Sequence, residues 1–445
     1  MNIIYRKITL ITALASLLLV FGCSSSGNSQ AEAPAPAVTA SVSSSSNSGA
    51  AQDATTKPQP SPAAAAASAS TPTGTPGQSE NPLTQRISEM TLEDKIGQML
   101  LAGIDGTKLD SEAKRMIAED RIGGIILYKD NIQSLKSMVS LINELKKSNS
   151  GNPVPLFMSV DQEGGKVSRM PDEYAVMPGN GKVGAAGNPD DARIMGRLLA
   201  REVLSAGFNM NFAPVLDINS NPDNPVIGDR SFGSTAGIVT PFGIAEMKGI
   251  AEEGVIPVIK HFPGHGDTSV DSHLELPVVN KSAAELATLE WLPFQAAVRE
   301  QADAVMVAHV LFPKLDPNKP ASLSKPIIGD LLRDQMGFDG VVITDDLTMG
   351  AITDHYTLAA AAVDTVLAGS DILLIAHKYE NEQAVRQALL NSVKDGTITE
   401  SRIDESVRRI LSLKLKYKLN DNVLPVPDLA ELNKDIKAWQ KTLTK

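Results

Sequence analysis

The 445-residue sequence predicts an α/β fold, a (β/α)8 TIM-like barrel forming a single domain over residues 82–445. Three observations carry that expectation. Short β-rich runs alternate with amphipathic helical stretches from about Pro82 onward, and this order belongs to a parallel sheet covered by helices. Eight such runs can be found, the number that closes a barrel. An open doubly wound sheet is the competing architecture, but no glycine-rich phosphate fingerprint follows an early run, and "DQEGGKV" has its two glycines in the wrong arrangement.

In chain order the runs are "QMLLAGI" (98–104), "IGGIILY" (122–128), "PLFMSVD" (155–161) and "NMNFAPVLD" (209–217). "VIPVIKH" (255–261), "DAVMVAHV" (303–310), "GVVITDD" (340–346) and "DILLIA" (371–376) follow. Between them, "IQSLKSMVSLINELKKS", "ARIMGRLLAREVLSAG" and "NEQAVRQALLNSVKDG" space their apolar residues three and four apart, and the last two close on glycine. After "LKLKYKL" (413–419) only a short tail is expected, with no room for a second folded domain.

The part before the barrel reads differently. "MNIIYRKITLITALASLLLVFGC" has a short basic start at Arg6 and Lys7 and an apolar run from Ile8 to Phe21, too short for a comfortable membrane span. Residues 1–22 are therefore read as an export signal, and no apolar stretch of spanning length follows. Cys23 is the only cysteine, which excludes an internal disulfide framework. Its setting after "LVFG" resembles a bacterial lipobox, which implies a lipidated mature N-terminus held at the extracytoplasmic face of a membrane. Residues 23–81, rich in Ala, Ser and Pro, cannot bury enough apolar surface to offset chain entropy and read as a disordered tether. Loss of Arg6 and Lys7 with the signal takes the formal charge from −11 to −13, which argues against a nucleic-acid partner.

Active sites of such barrels lie at the C-terminal ends of the strands, so charged residues there carry weight. "FMSV" runs into Asp161, "VIPVI" into Lys260 and His261, and "GVVIT" into Asp345 and Asp346. An unpaired buried charge is costly, so such residues either pair structurally or form a site. The stretch "KHFPGHGDTSVDSH" (260–273) adds His261, His265 and His273. Asp271 lies two residues before His273, a spacing that lets a carboxylate fix the histidine tautomer and leave Nε2 to move a proton. His261 and His265, with Asp267, Asp271 and His273, also leave a zinc or manganese site open. The glycine and proline content offers no regular element to aim five ligands, which favours proton transfer. His309, His355 and His377 carry no signal individually.

With "DQEGGKVSR" (161–169), "NPVIGDRSFG" (224–233) and "ITDDLTMGAI" (343–352), the histidine stretch resembles the glycoside hydrolase family 3 β-N-acetylglucosaminidases over about residues 85–420. The resemblance implies a retaining exo-glycosidase that releases terminal β-linked N-acetylglucosamine, commonly from peptidoglycan fragments. It implies no cofactor and no metal. It places Asp345 as nucleophile, His273 as acid/base and Asp271 as its partner, with Asp161, Arg169, Arg230, Lys260 and His261 binding sugar. Sequence spacing alone does not choose between Asp345 and Asp346. Lys166 stands where the family often has arginine. A monomer is expected. A β-N-acetylglucosaminide phosphorylase and a non-catalytic carbohydrate-binding lipoprotein are the competing readings.

Overall fold

The computed structural model describes residues 82–443. The signal, Cys23 and the tether of residues 23–81 lie outside them. Eight parallel strands form one sheet: β1 (Leu100–Ala102), β2 (Gly124–Leu127), β3 (Phe157–Val160), β4 (Met210–Asn211), β5 (Ile256–Phe262), β6 (Ala304–Val307), β7 (Val341–Thr344) and β8 (Leu373–Ile375). Their spatial order is β7-β6-β5-β4-β3-β2-β1-β8, and a parallel bridge from Ile343 to Ile372 brings the two ends together into a barrel. Every strand residue is buried. Strands covered on both faces tolerate no polar alternation, which is why the runs read as uninterrupted apolar segments.

All eight runs contain a strand, each shorter than the apolar run around it except β5, which extends one residue further to Phe262. The fourth differs most. Its regular ladder covers two residues, and beyond it the pairing continues irregularly: Phe212 donates to the Val160 carbonyl at 2.9 Å, the Ala213 and Pro214 carbonyls accept from Val258 and Lys260 at 3.1 Å, and Val215 bridges Lys260. Helices also begin where capping chemistry permits. Ser134 accepts from the Ser137 amide at 3.3 Å, so the helix starts at Leu135 rather than at Ile132. Helix Pro189–Ala206 ends at Gly207, which takes the left-handed conformation at φ 104°.

Helices Pro189–Ala206 and Ala236–Glu252 approach closely because Gly196 has no side chain: a Cβ there would lie 2.3 Å from the Glu246 carbonyl oxygen. The tail contains more structure than the sequence reading expected. Helix Ala430–Gln440 buries Leu432, Ile436 and Trp439, spaced four and three apart on one face, and docks on Pro189–Ala206. Trp439 Nε1 donates to Asp191 at 3.2 Å, and Arg201 pairs with Asp435 at 2.9 Å. Among the described residues no helix is long and apolar enough to cross a membrane.

Candidate active site

The strand ends converge on a cavity of about 450 Å³. Asp161 follows β3, Lys260 and His261 close β5, and Asp345 follows β7; loops add Arg169, Arg230 and His273, so seven of the eight predicted site residues line one space. Asp271, the eighth, stands behind His273.

One wall is a charge network. Lys260 Nζ lies 2.6 Å from Asp161 Oδ1 and 2.6 Å from Glu163 Oε1, while Arg230 meets both Glu163 oxygens at 2.7 and 2.9 Å. Burial of Glu163 opposes its ionisation, but the Arg230 and Lys260 charges prevail and hold its carboxyl well below the usual range. With its cations thus fixed, this wall presents donors and a carboxylate acceptor at set positions, the equipment for binding sugar hydroxyls. Lys166 is exposed and pairs with Asp229 at 2.9 Å, joining the Asp161 and Arg230 loops from outside the cavity. An arginine would serve there equally, since the contact is a single surface ion pair.

Asp217 supports the next side chain. Its Oδ2 lies 2.6 Å from His261 Nδ1 and accepts from the His261 amide at 3.2 Å, while Oδ1 accepts from the His265 amide at 2.7 Å. Burial works against the Asp217 anion, and the adjacent His261 outweighs it and lowers the pKa. Behind Asp161, Gln162 accepts from the Arg169 amide at 2.9 Å and donates to buried Glu202 at 2.8 Å, anchoring the loop that carries both cavity residues. Burial raises the Glu202 pKa to about 8.

The two adjacent aspartates have different surroundings. Both line the cavity, but Asp346 is the more committed: it accepts from the Thr348 amide at 2.9 Å, the Thr348 hydroxyl at 2.6 Å and the Ala376 amide at 3.0 Å. Asp345 accepts one bond, from the Asp346 amide at 2.9 Å, and faces the cavity. Burial disfavours its charge, yet the His309 and His261 rings and that amide bring its pKa below the ordinary value. His309 is buried, with Nε2 2.9 Å from the Asp346 carbonyl and Nδ1 2.7 Å from the Ser322 hydroxyl, so it fixes the segment without touching the open space.

At the rim, Asp271 Oδ1 receives the His273 amide at 2.9 Å and lies 2.7 Å from His273 Nδ1. That arrangement leaves Nε2 free on a ring that is 65% exposed. The ring nitrogens of the three histidines of the 260–273 stretch thus meet different side chains, Asp217 for His261, Thr268 and Ser272 for His265, and Asp271 for His273. Among the described residues no group of three or more His, Cys, Asp or Glu side chains is placed to hold a metal ion.

Several site residues escaped the sequence reading. Glu163 lies two residues beyond the third apolar run, where no strand-end signal reaches it, whereas Asp217 ends the fourth run just as Asp161 ends the third and carries that signal. Tyr128 ends the second run and lines the cavity, its ring stacked on His377 with centroids 5.5 Å apart. His377, read as uninformative, is therefore a wall residue, whereas His355 is exposed.

The sequence model of the glycosyl hydrolase family 3 N terminal domain matches residues 91–413. "Beta-hexosaminidase A" of Pseudoalteromonas piscicida is 36% identical over 335 residues, 70% of this chain; the chain spans 56% of that relative's length. "Beta-hexosaminidase" of Alkalilimnicola ehrlichii is 35% identical over 65% of this chain and 84% of its own. Among solved structures, a glycoside hydrolase family 3 β-N-acetylglucosaminidase from Paenibacillus sp. superposes with a TM-score of 0.76 at 42% identity, covering 79% of this chain and 69% of that one. A family match across the whole barrel, together with relatives of this identity, means that the chain belongs to glycosyl hydrolase family 3, in its β-hexosaminidase group.

Proposed function

We propose that the protein is a retaining exo-β-N-acetylglucosaminidase that removes terminal N-acetylglucosamine from cell-wall fragments. Asp345 is the nucleophile in this reading: a carboxylate oxygen attacks the anomeric carbon while His273 Nε2 passes a proton to the departing glycosidic oxygen. His273 then takes a proton from water, whose oxygen displaces Asp345 from the anomeric carbon. Asp271 holds the imidazole in the tautomer that frees Nε2. Asp161, Arg169, Arg230, Lys260 and His261 bind the sugar. The observation that carries this assignment is the contrast between Asp345, open to the cavity with one bond, and Asp346, committed to three.

Initial rates on aryl β-N-acetylglucosaminides, with and without phosphate, test the reaction class. Phosphate-independent hydrolysis supports the reading; dependence on phosphate would make the protein a phosphorylase, and tight sugar binding without turnover would make it a binding protein. His273→Ala is expected to cost about 10²- to 10⁴-fold on natural glycosides and much less on nitrophenyl glycosides, whose leaving groups need little protonation. Equal losses on both would remove His273 from the acid role.

The same reading places the enzyme at a membrane through a lipid on Cys23. Cys23→Ala is expected to end incorporation of labelled fatty acid and release the protein from the membrane fraction. Retention of both in the variant would refute the anchor.

A further inference from the structure

His265 takes no part in the chemistry above, yet its ring is buried against the cavity and engaged at both nitrogens. Nδ1 lies 3.0 Å from the Thr268 hydroxyl and Nε2 lies 3.2 Å from the Ser272 hydroxyl. The proton inventory is restrictive. Asn224 donates to the Thr268 hydroxyl at 3.1 Å, and that hydroxyl is 3.1 Å from the His265 carbonyl. One assignment uses every hydrogen: Nδ1–H donates to Thr268, Thr268 donates to the His265 carbonyl, and Ser272 donates to Nε2. The ring is neutral in that arrangement, in keeping with burial and the neighbouring His261, which push its pKa down to about 4.

Ser272 immediately precedes His273, and its carbonyl accepts from the Ala351 amide at 3.3 Å. Next to Ala351, a Cβ on Gly350 would lie 2.8 Å from the His273 carbonyl oxygen. Ser272 is thus held from two sides, by His265 through its hydroxyl and by the segment after Asp345 through its carbonyl. At the other end of the loop, Gly266 lets the backbone pass the Ile218 carbonyl, which a Cβ would meet at 1.7 Å. The loop is fixed at its start and just before its proton-carrying residue.

We propose that His265 and Ser272 form a clasp that sets the reach of His273 Nε2 toward the leaving-group oxygen, making both of them positioning residues for proton transfer. This rests on the reading of His273 as the acid/base. Loosening the clasp leaves the nucleophile and the sugar wall in place and degrades the two proton transfers that need His273 Nε2, to the leaving group and from the attacking water.

The experiment measures kcat and KM of wild type, Ser272→Ala, His265→Asn and His273→Ala on an N-acetylglucosamine disaccharide and on a dinitrophenyl β-N-acetylglucosaminide. Ser272→Ala is expected to lose about tenfold in kcat on the disaccharide, with KM unchanged, because a small displacement of a reacting group costs one to two orders of magnitude. On the dinitrophenyl glycoside, kcat/KM, which reports bond cleavage to a leaving group that needs no proton, should stay within about twofold of wild type. Ser272→Thr, which restores the hydroxyl, should recover the disaccharide rate. Equal losses on both substrates would mean a merely structural contact, and no loss on either would mean no clasp; each overturns the proposal. If His265→Asn fails to fold, Ser272→Ala alone decides. Should His273→Ala itself show no dependence on the leaving group, the acid assignment fails and the clasp falls with it; if His273→Ala shows that dependence and Ser272→Ala does not, only the clasp is wrong.

Discussion

Asp345→Ala is expected to lower kcat by about 10⁴-fold or more, since removal of a nucleophile eliminates the covalent route rather than weakening it. The fold should survive, because Asp345 accepts only one hydrogen bond, from the neighbouring amide. Azide supplies a sharper readout. A small anion entering the vacated space would attack the anomeric carbon from the nucleophile's side, and the α-glycosyl azide would accumulate with an activated substrate. Asp346→Asn offers the contrast: it disturbs three bonds that tie the end of β7 to Thr348 and Ala376, so stability should fall by about 1–3 kcal/mol with no azide product. An azide product from the Asp346 variant and not from the Asp345 variant would exchange the two roles.

Glu163→Gln should be the most damaging single change to the sugar wall. It leaves Lys260 and Arg230 facing an amide, with Asp161 the remaining carboxylate in contact with Lys260. Removing one member of a buried ion pair typically costs about 3–5 kcal/mol, and the activity should fall as the cations lose their fixed positions. The pH dependence has a definite sign. Because the folded-state pKa of Glu163 lies below the ordinary value, its stabilisation is fully present above the usual carboxylate range and is lost as pH falls through the folded value. The gap in thermal midpoint between wild type and variant should therefore be widest near neutrality and narrow in acid. A constant gap from neutral to strongly acidic pH would show that packing, not charge, carries the effect of Glu163.

The barrel was legible because strands buried on both faces leave uninterrupted apolar runs, and helices with one buried face leave a regular spacing. Hydrogen bonding within those runs was not legible, and the regular ladder of β4 covers two residues of a longer run that read as strand. Helix Ala430–Gln440 was missed although Leu432, Ile436 and Trp439 keep the helical spacing, because a lone amphipathic stretch gives no hint of what it covers. At the site, strand-end position identified Asp161, Lys260, His261 and Asp345, and a two-residue spacing identified the Asp271–His273 pair. Arg169 sits in a loop and Arg230 in the single 3-10 turn Gly228–Arg230, both too irregular or short for a period to guide the eye, and they came only through family resemblance. The choice between Asp345 and Asp346 depends on which carboxylate is already satisfied, and that requires coordinates of residues as distant in sequence as Ala376.

The barrel's closure also bears on how the chain is made. β1 pairs with β8, Leu100 opposite Leu373, and the face of Pro189–Ala206 is completed by Trp439 reaching Asp191. Until those late residues leave the ribosome, β1 presents an open edge and the early helices lack their cover. Loop closure over such separations comes late and slowly, so no sealed body exists before nearly the whole polypeptide does. For most of its synthesis the chain is an unsealed thread, its first strand waiting for a partner that is made last.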